Sequence, residues 1–86
     1  MACYKIEWRS SAKRELKKLE KPLIAKIINT VDELAKNPFP SGCKKLVSTE
    51  HTYRIRMGDY RIVYSVFQDQ LIVEIIKVGH RREVYK

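Results

Sequence analysis

The stretch 53–64, YRIRMGDYRIVY, permits few folds. In its first limb Tyr53, Ile55 and Met57 alternate with Arg54 and Arg56, the period of a strand with one apolar face. The Gly58-Asp59 pair suits a two-residue type II′ turn, which takes glycine in its first place. Such a turn sets the register: Met57 faces Tyr60, Arg56 faces Arg61, Ile55 faces Ile62, and Tyr53 faces Tyr64. One face of the hairpin is then apolar or aromatic throughout, and the other gathers Arg54, Arg56 and Arg61. Directly opposed like charges destabilise a sheet, so folding alone gives no reason for three guanidinium groups there. A sheet with one wet side tolerates a solvated basic face, and for any single arginine that explanation suffices. Three converging on one hairpin face point to an anion.

The overall charge agrees. Eighteen Lys and Arg against ten Asp and Glu leave a formal charge of +8 and a pI near 9.7. That balance calls for a polyanionic partner, nucleic acid, a ribonucleoprotein or an acidic protein. The charges are spread along the chain and not gathered on one amphipathic helix, which argues against a membrane surface. No apolar run reaches the length of a transmembrane helix, and MACYKIEWRS lacks a signal-peptide core, so the expected location is the cytoplasm. Cys3 and Cys43 are too few and too far apart for a disulfide scaffold. With neither in a CxxC pair, and no ligand spacing around His51 or His80, no metal site is expected.

Eighty-six residues suffice for one domain with one modest core, spanning 1–86. Residues 3–8 alternate, with Tyr4, Ile6 and Trp8 on one face, and read as a first strand. Ser10 or Ser11 can cap a short helix, which buries Ala12, Leu16 and Leu19 and carries Lys13, Arg14, Lys17 and Lys18 on its outer face. Such a run is commonly a solvated surface, and it can also help to dock RNA. Pro22 fits the first turn of a second helix. Leu23, Ile24, Ile27, Ile28, Val31, Leu34 and Ala35 then recur at intervals of three and four until Asn37-Pro38. NPFPSG is a loop. Residues 44–47 start a second strand, the arginine hairpin follows, and residues 68–70 turn the chain. LIVEIIKV, 71–78, is nearly continuous in apolar residues and suits a central strand covered on much of both faces, with Gly79 as its breaker. The sum is an α+β fold: an N-terminal strand, a two-helix hairpin, then a mainly antiparallel four-strand segment. The helices cover one sheet face and leave Arg54, Arg56 and Arg61 on the open one.

The tail HRREVYK adds two guanidiniums, an imidazole and a phenol immediately after that strand. Taken together, GDYRIVY, LIVEIIKVG and HRREVY resemble the RelE/ParE toxin superfamily of toxin–antitoxin systems. The resemblance extends over YKIEW, SSAKRELKKL, the long second helix and NPFPSGCKKL, and is nearer to the RelE branch. It implies a small-ribonuclease-like fold, a ribosome-dependent and metal-free mRNA endonuclease without a cofactor, and a cognate antitoxin as partner. It further implies a catalytic set of Arg61, Arg81, Tyr85 and Arg56, and RNA-binding roles for Arg54, Lys44, Lys45, His80 and Arg82. Arginine at 54 and 56 departs from the lysines of the best-known member, and the tail is shorter.

In such a site the 2′-hydroxyl attacks its neighbouring phosphate and displaces the 5′-oxygen. Cations aimed at the phosphoryl oxygens lower the barrier. The forked guanidiniums of Arg61 and Arg81 suit that clamp, with Arg54 and Arg56 holding the flanking backbone. Surrounding arginines favour a phenolate at Tyr85 as general base; His80 is its rival, needing little tuning near neutral pH. Two other readings stand beside this one, a ParE-like inhibitor of DNA gyrase acting by protein binding, and an RNA-binding module without chemistry.

Overall fold

A computed structural model describes residues 3–47 and 49–80. In chain order the elements are β1 (Lys5–Trp8), α1 (Ser10–Lys17), α2 (Lys21–Lys36), β2 (Lys44–Lys45), β3 (Thr52–Met57), β4 (Tyr60–Phe67) and β5 (Ile72–His80). The five strands form one sheet in the order β1-β5-β4-β3-β2. β1 pairs in parallel with β5 and every other pairing is antiparallel, so the sheet is mixed.

The hairpin has the expected register, Met57 opposite Tyr60, Arg56 opposite Arg61, Ile55 opposite Ile62 and Tyr53 opposite Tyr64. Gly58 has φ 62° and Asp59 stays at negative φ, the combination that a type II′ turn requires. α2 starts with Pro22 in its first turn and ends at Asn37, whose N–H donates to the Glu33 carbonyl. Ile27, Val31 and Leu34 of α2 meet Ala12 of α1 over Ile62, Tyr64, Val66, Val73, Ile75 and Val78, and these residues are the core. Tyr64 anchors the loop after α2 to it, its hydroxyl donating to the Pro38 carbonyl at 2.8 Å.

Four local expectations are corrected. The N-cap of α1 is Arg9 and not Ser10 or Ser11, and no side chain caps it. The Arg9 N–H donates to the Ile75 carbonyl, so the β1–β5 ladder runs to the first turn and Ser10 is already helical. β2 ends at Lys45, because Leu46 closes onto the Thr52 carbonyl and its own carbonyl accepts from the Thr49 N–H and hydroxyl. Leu71 belongs to the turn before β5, with φ 55°, and not to the strand. Gly79 does not break β5: it pairs with Arg61, and the strand continues to His80.

As expected, β5 lies between two strands and has no exposed residue, and its apolar run has a second cause besides. Register shifts at Val63/Tyr64, so that Val63 opposes Lys77 while Tyr64 opposes Ile75. Ile76 is the extra residue of a bulge. The shift keeps Val73, Ile75 and Val78 on the core face despite their uneven spacing. β5 is paired on both edges, but the strand buried on both faces is β4 in the middle of the sheet.

Candidate functional site

Register assembles the basic face in two rungs. Lys44 of β2, Arg54 of β3, Val63 of β4 and Lys77 of β5 form one; Arg56, Arg61 and Gly79 form the next. Arg54, Arg56, Arg61 and Val63 lie on the face opposite Ile62 and Tyr64, hence away from the helices. The hairpin turn places Arg56 and Arg61 directly opposite one another, and Gly79 adds no side chain on the far flank.

Exposure separates the three arginines of the hairpin. Arg56 is exposed and Arg54 half-buried, as an open face demands. Arg61 is only 4 % exposed, which corrects the expectation of an open position. It stands on the middle strand, where Val63 and Ser65 of the same face are buried as well. A buried guanidinium must have hydrogen-bond acceptors, and one that the Arg61 Nη1 uses is the Tyr60 carbonyl at 3.4 Å. Among the described residues no buried side-chain nitrogen or oxygen lacks a partner.

Lys45 pairs with Tyr53 and so lies on the opposite face from Lys44. His80 pairs with Tyr60, their rings edge to face at 5.6 Å. It is therefore across the sheet from Arg61, beside a cavity of about 300 Å³ lined also by Glu15, Lys18, Leu19 and Tyr60. Arg81, Arg82 and Tyr85 lie outside the described residues. Lys77 is a cation of this face that the sequence pattern hid, since it read as an interruption in an apolar strand. The signal was there only with the bulge known. Its ammonium lies 3.7 Å from the Glu15 carboxylate, whose other oxygen accepts from the Val78 N–H at 3.2 Å. Beyond Ile75 β5 has no β1 neighbour, and Glu15 thus covers a bare strand edge.

One described phenol has a strongly shifted pKa. Burial pushes Tyr64 far above its ordinary range, Cys43 adds to the shift by charge and by a hydrogen bond, and Tyr53 contributes least. Tyr64 is a core group and faces away from the arginines. Among the described residues no three His, Cys, Asp or Glu side chains gather where they could hold a metal ion, and no helix is long and apolar enough to cross a membrane.

The chain's residues 6–85 match the model of a family described as the ParE toxin of type II toxin–antitoxin systems, parDE. This chain belongs to the ParE toxin family. Its relatives include the toxin RelE of Mycobacterium tuberculosis, 30% identical over 84 residues that cover 96% of this chain and 87% of that one. In the toxin–antitoxin complex RelBE2 of the same organism, one chain superposes with a TM-score of 0.83 at 28% identity, covering 94% of each chain. The archaeal RelE–RelB complex of Pyrococcus horikoshii gives 0.82 at 28% identity, covering 92% of this chain and 96% of that one. This ParE-family toxin therefore has the RelE fold, and the similar proteins carry RelE names, in line with the branch that its motifs resemble.

Proposed function

We propose that this toxin is a metal-free mRNA endonuclease that works on the ribosome in the cytoplasm and is held inactive by a cognate antitoxin. The observation that carries the reading is the pair of rungs: Arg56 opposite Arg61, with Arg54 and Lys44 beside them on one face. Arg61 is the centre of the proposed chemistry. A guanidinium held at 4 % exposure is oriented before substrate arrives and acts in a medium that screens charge less than water does. It would take the phosphoryl oxygens as charge builds on them, while exposed Arg56, with Arg54 and Lys44, holds the flanking phosphates.

Attack by the 2′-oxygen forms a cyclic phosphate and expels the 5′-oxygen, so one proton must leave and one must arrive. Tyr85 is the proposed base. His80 stands across the sheet from Arg61 by register and is less well placed for it. Arg81 completes the clamp, and Arg82, Lys45 and His80 serve RNA at the margins. The antitoxin proposal is supported by the relatives, two of which are complexes of toxin with antitoxin.

The test is to add purified protein to programmed ribosomes and map mRNA ends by primer extension, with Arg61→Ala and Tyr85→Phe alongside. Cuts in the decoding site that fall about 100-fold in Arg61→Ala establish the nuclease. Intact mRNA with ribosome-bound wild type removes it. The competing reading, inhibition of DNA gyrase by protein binding, draws on the ParE description of the family and would next face a supercoiling assay.

A further inference from the structure

The two outer strands of the sheet differ. β2 is a pair of lysines, whereas β1 alternates Lys5 and Glu7 with Ile6 and Trp8. The N–H groups of Lys5 and Arg9 donate to the Leu71 and Ile75 carbonyls, so the odd residues of β1 bond inward to β5 and the even ones turn outward. The outward N–H of Tyr4 is held by the Ala35 carbonyl at 2.8 Å. Backbone N–H and C=O groups of Ile6 and Trp8 have no partner among the described residues. Such an edge is a template for a further strand.

Beside this edge lies a groove of about 360 Å³. β1 lines it with Ile6 and Trp8, α1 with Leu16, and α2 with Ile28, which is 42 % exposed. An aromatic ring and aliphatic side chains left part-exposed beside an open strand edge are the makings of an interface core. Its rim carries both signs of charge, Lys13 and Lys17 from one helix and Asp32 from the other. None of the three makes an ion pair among the described residues. A purely acidic partner would suit the lysines and be repelled by Asp32, so the rim favours a partner that also carries both signs.

We propose that a second copy of this chain docks on this face, its β1 pairing antiparallel with the first about a two-fold axis through Ile6. Only registers that match even residues with even ones complete the ladder and keep Ile6 and Trp8 on the groove side. Matching Tyr4 with Ile6 sets Lys5 opposite its own copy, and matching Ile6 with Trp8 does the same to Glu7; both oppose like charges. An axis through Trp8 sets Ile6 against Ser10, which is already helical. The axis through Ile6 remains. It places Lys5 of each copy opposite Glu7 of the other, Ile6 opposite Ile6, and Trp8 opposite Tyr4. A lysine on a short outer strand is the usual guard against strand addition. Glu7, two places on, lifts that guard for a copy of the same strand, which presents the matching charges in reverse order. A two-fold interface requires this kind of self-complementarity. Residues paired across a ladder share a face, so the sheet continues through both copies, the two grooves lie side by side, and both sets of arginine rungs look out on the other side. The inference does not rest on the nuclease reading.

The experiment is sedimentation equilibrium of the purified full chain over a concentration series reaching about 100 μM. Wild type is expected to move from 10.2 kDa toward twice that mass. Variants are K5E, E7K, the double K5E/E7K, and I28Q. Each single reversal opposes like charges at two places and should weaken the dimer about tenfold or more. K5E is the sharper of the two, because it lowers the net positive charge, which by itself would favour association. The double variant keeps the net charge of wild type, restores opposite charges across the axis, and should recover wild-type affinity within about twofold. I28Q should weaken the dimer through the groove. Lys5, Glu7 and Ile28 are all exposed, so melting temperatures measured at dilution, where the chain is monomeric, should hold and exclude misfolding. A chain that stays at 10.2 kDa throughout overturns the proposal, and loss of antitoxin binding in E7K would then assign the edge to that partner. A dimer indifferent to both single reversals also overturns it, since another face must hold that dimer. So does a double variant that fails to recover.

Discussion

The β3–β4 hairpin and helix α1 hold the two cationic surfaces of this toxin, and they are built in opposite ways. In the hairpin the alternation, the Gly-Asp turn and the facing aromatic and branched residues all agree, and the opposed Arg56–Arg61 pair is the one signal against them. In α1 most local signals fail. The helix is short and uncapped, and its outer face repels itself. It exists because Ala12 is fully buried, Leu16 and Leu19 pack on the core, and Glu15 reaches the bare edge of β5. The hairpin is a scaffold that happens to bear charge; α1 is a charged surface that the rest of the fold holds in place.

The largest test of that contrast is Ala12→Asp, which places an unpaired carboxylate where the side chain has no exposure. We expect a loss of about 3–5 kcal/mol in chemical denaturation. Ser11→Asp, one residue away and exposed, should change stability by no more than about 1 kcal/mol and in the favourable direction, since it puts an acid in the first turn. Equal effects at the two positions would mean that burial does not hold α1.

Glu15→Ala comes next. It strips the carboxylate from the Val78 N–H and from Lys77, and should cost about 1.5–3 kcal/mol, as a charged hydrogen bond does. A double-mutant cycle with Lys77→Met separates the two, and most of the loss should persist when Lys77 is absent.

On the hairpin side, Tyr64 makes alkaline stability a reporter of the core. At pH 7 the phenol is protonated whether the chain is folded or not. Above pH about 10 the unfolded phenol ionises while the buried one keeps its proton. The unfolded state then binds fewer protons, so stability falls as pH rises, by up to about 1.4 kcal/mol per pH unit. Tyr64→Phe should lose about 1 kcal/mol at pH 7 through the bond to Pro38, yet show a shallower alkaline limb than wild type. Parallel limbs for the two proteins would contradict the assignment.

The smallest expected effect sharpens the comparison most. Arg56→Thr removes one member of the opposed Arg56–Arg61 pair and installs a good strand former. It should stabilise the fold by up to about 1 kcal/mol while weakening the proposed RNA cleavage. If stability falls, the arginine pair is structural and the case for an anion on this face is lost.

Much of this architecture could be read from residues because it depends on near neighbours. A two-residue turn dictates the pairing of every residue in its hairpin, so Arg56 opposite Arg61 followed from Gly58-Asp59 alone. Pro22 and Asn37-Pro38 bracket α2 for the same reason, since proline acts on the backbone beside it. The sheet order required contacts across the whole chain. That β1 lies parallel against β5, that Ile76 bulges, and that Lys77 thereby joins the Arg54 rung all depend on segments about 70 residues apart or on a register shift without local signature. Arg61 shows the division most clearly. Its sequence neighbours give its face, and its place on the middle strand gives its burial. Alternation is a property of the backbone, which places a guanidinium above or below the sheet. Solvent access is a property of what packs around it, and only the assembled sheet decides that.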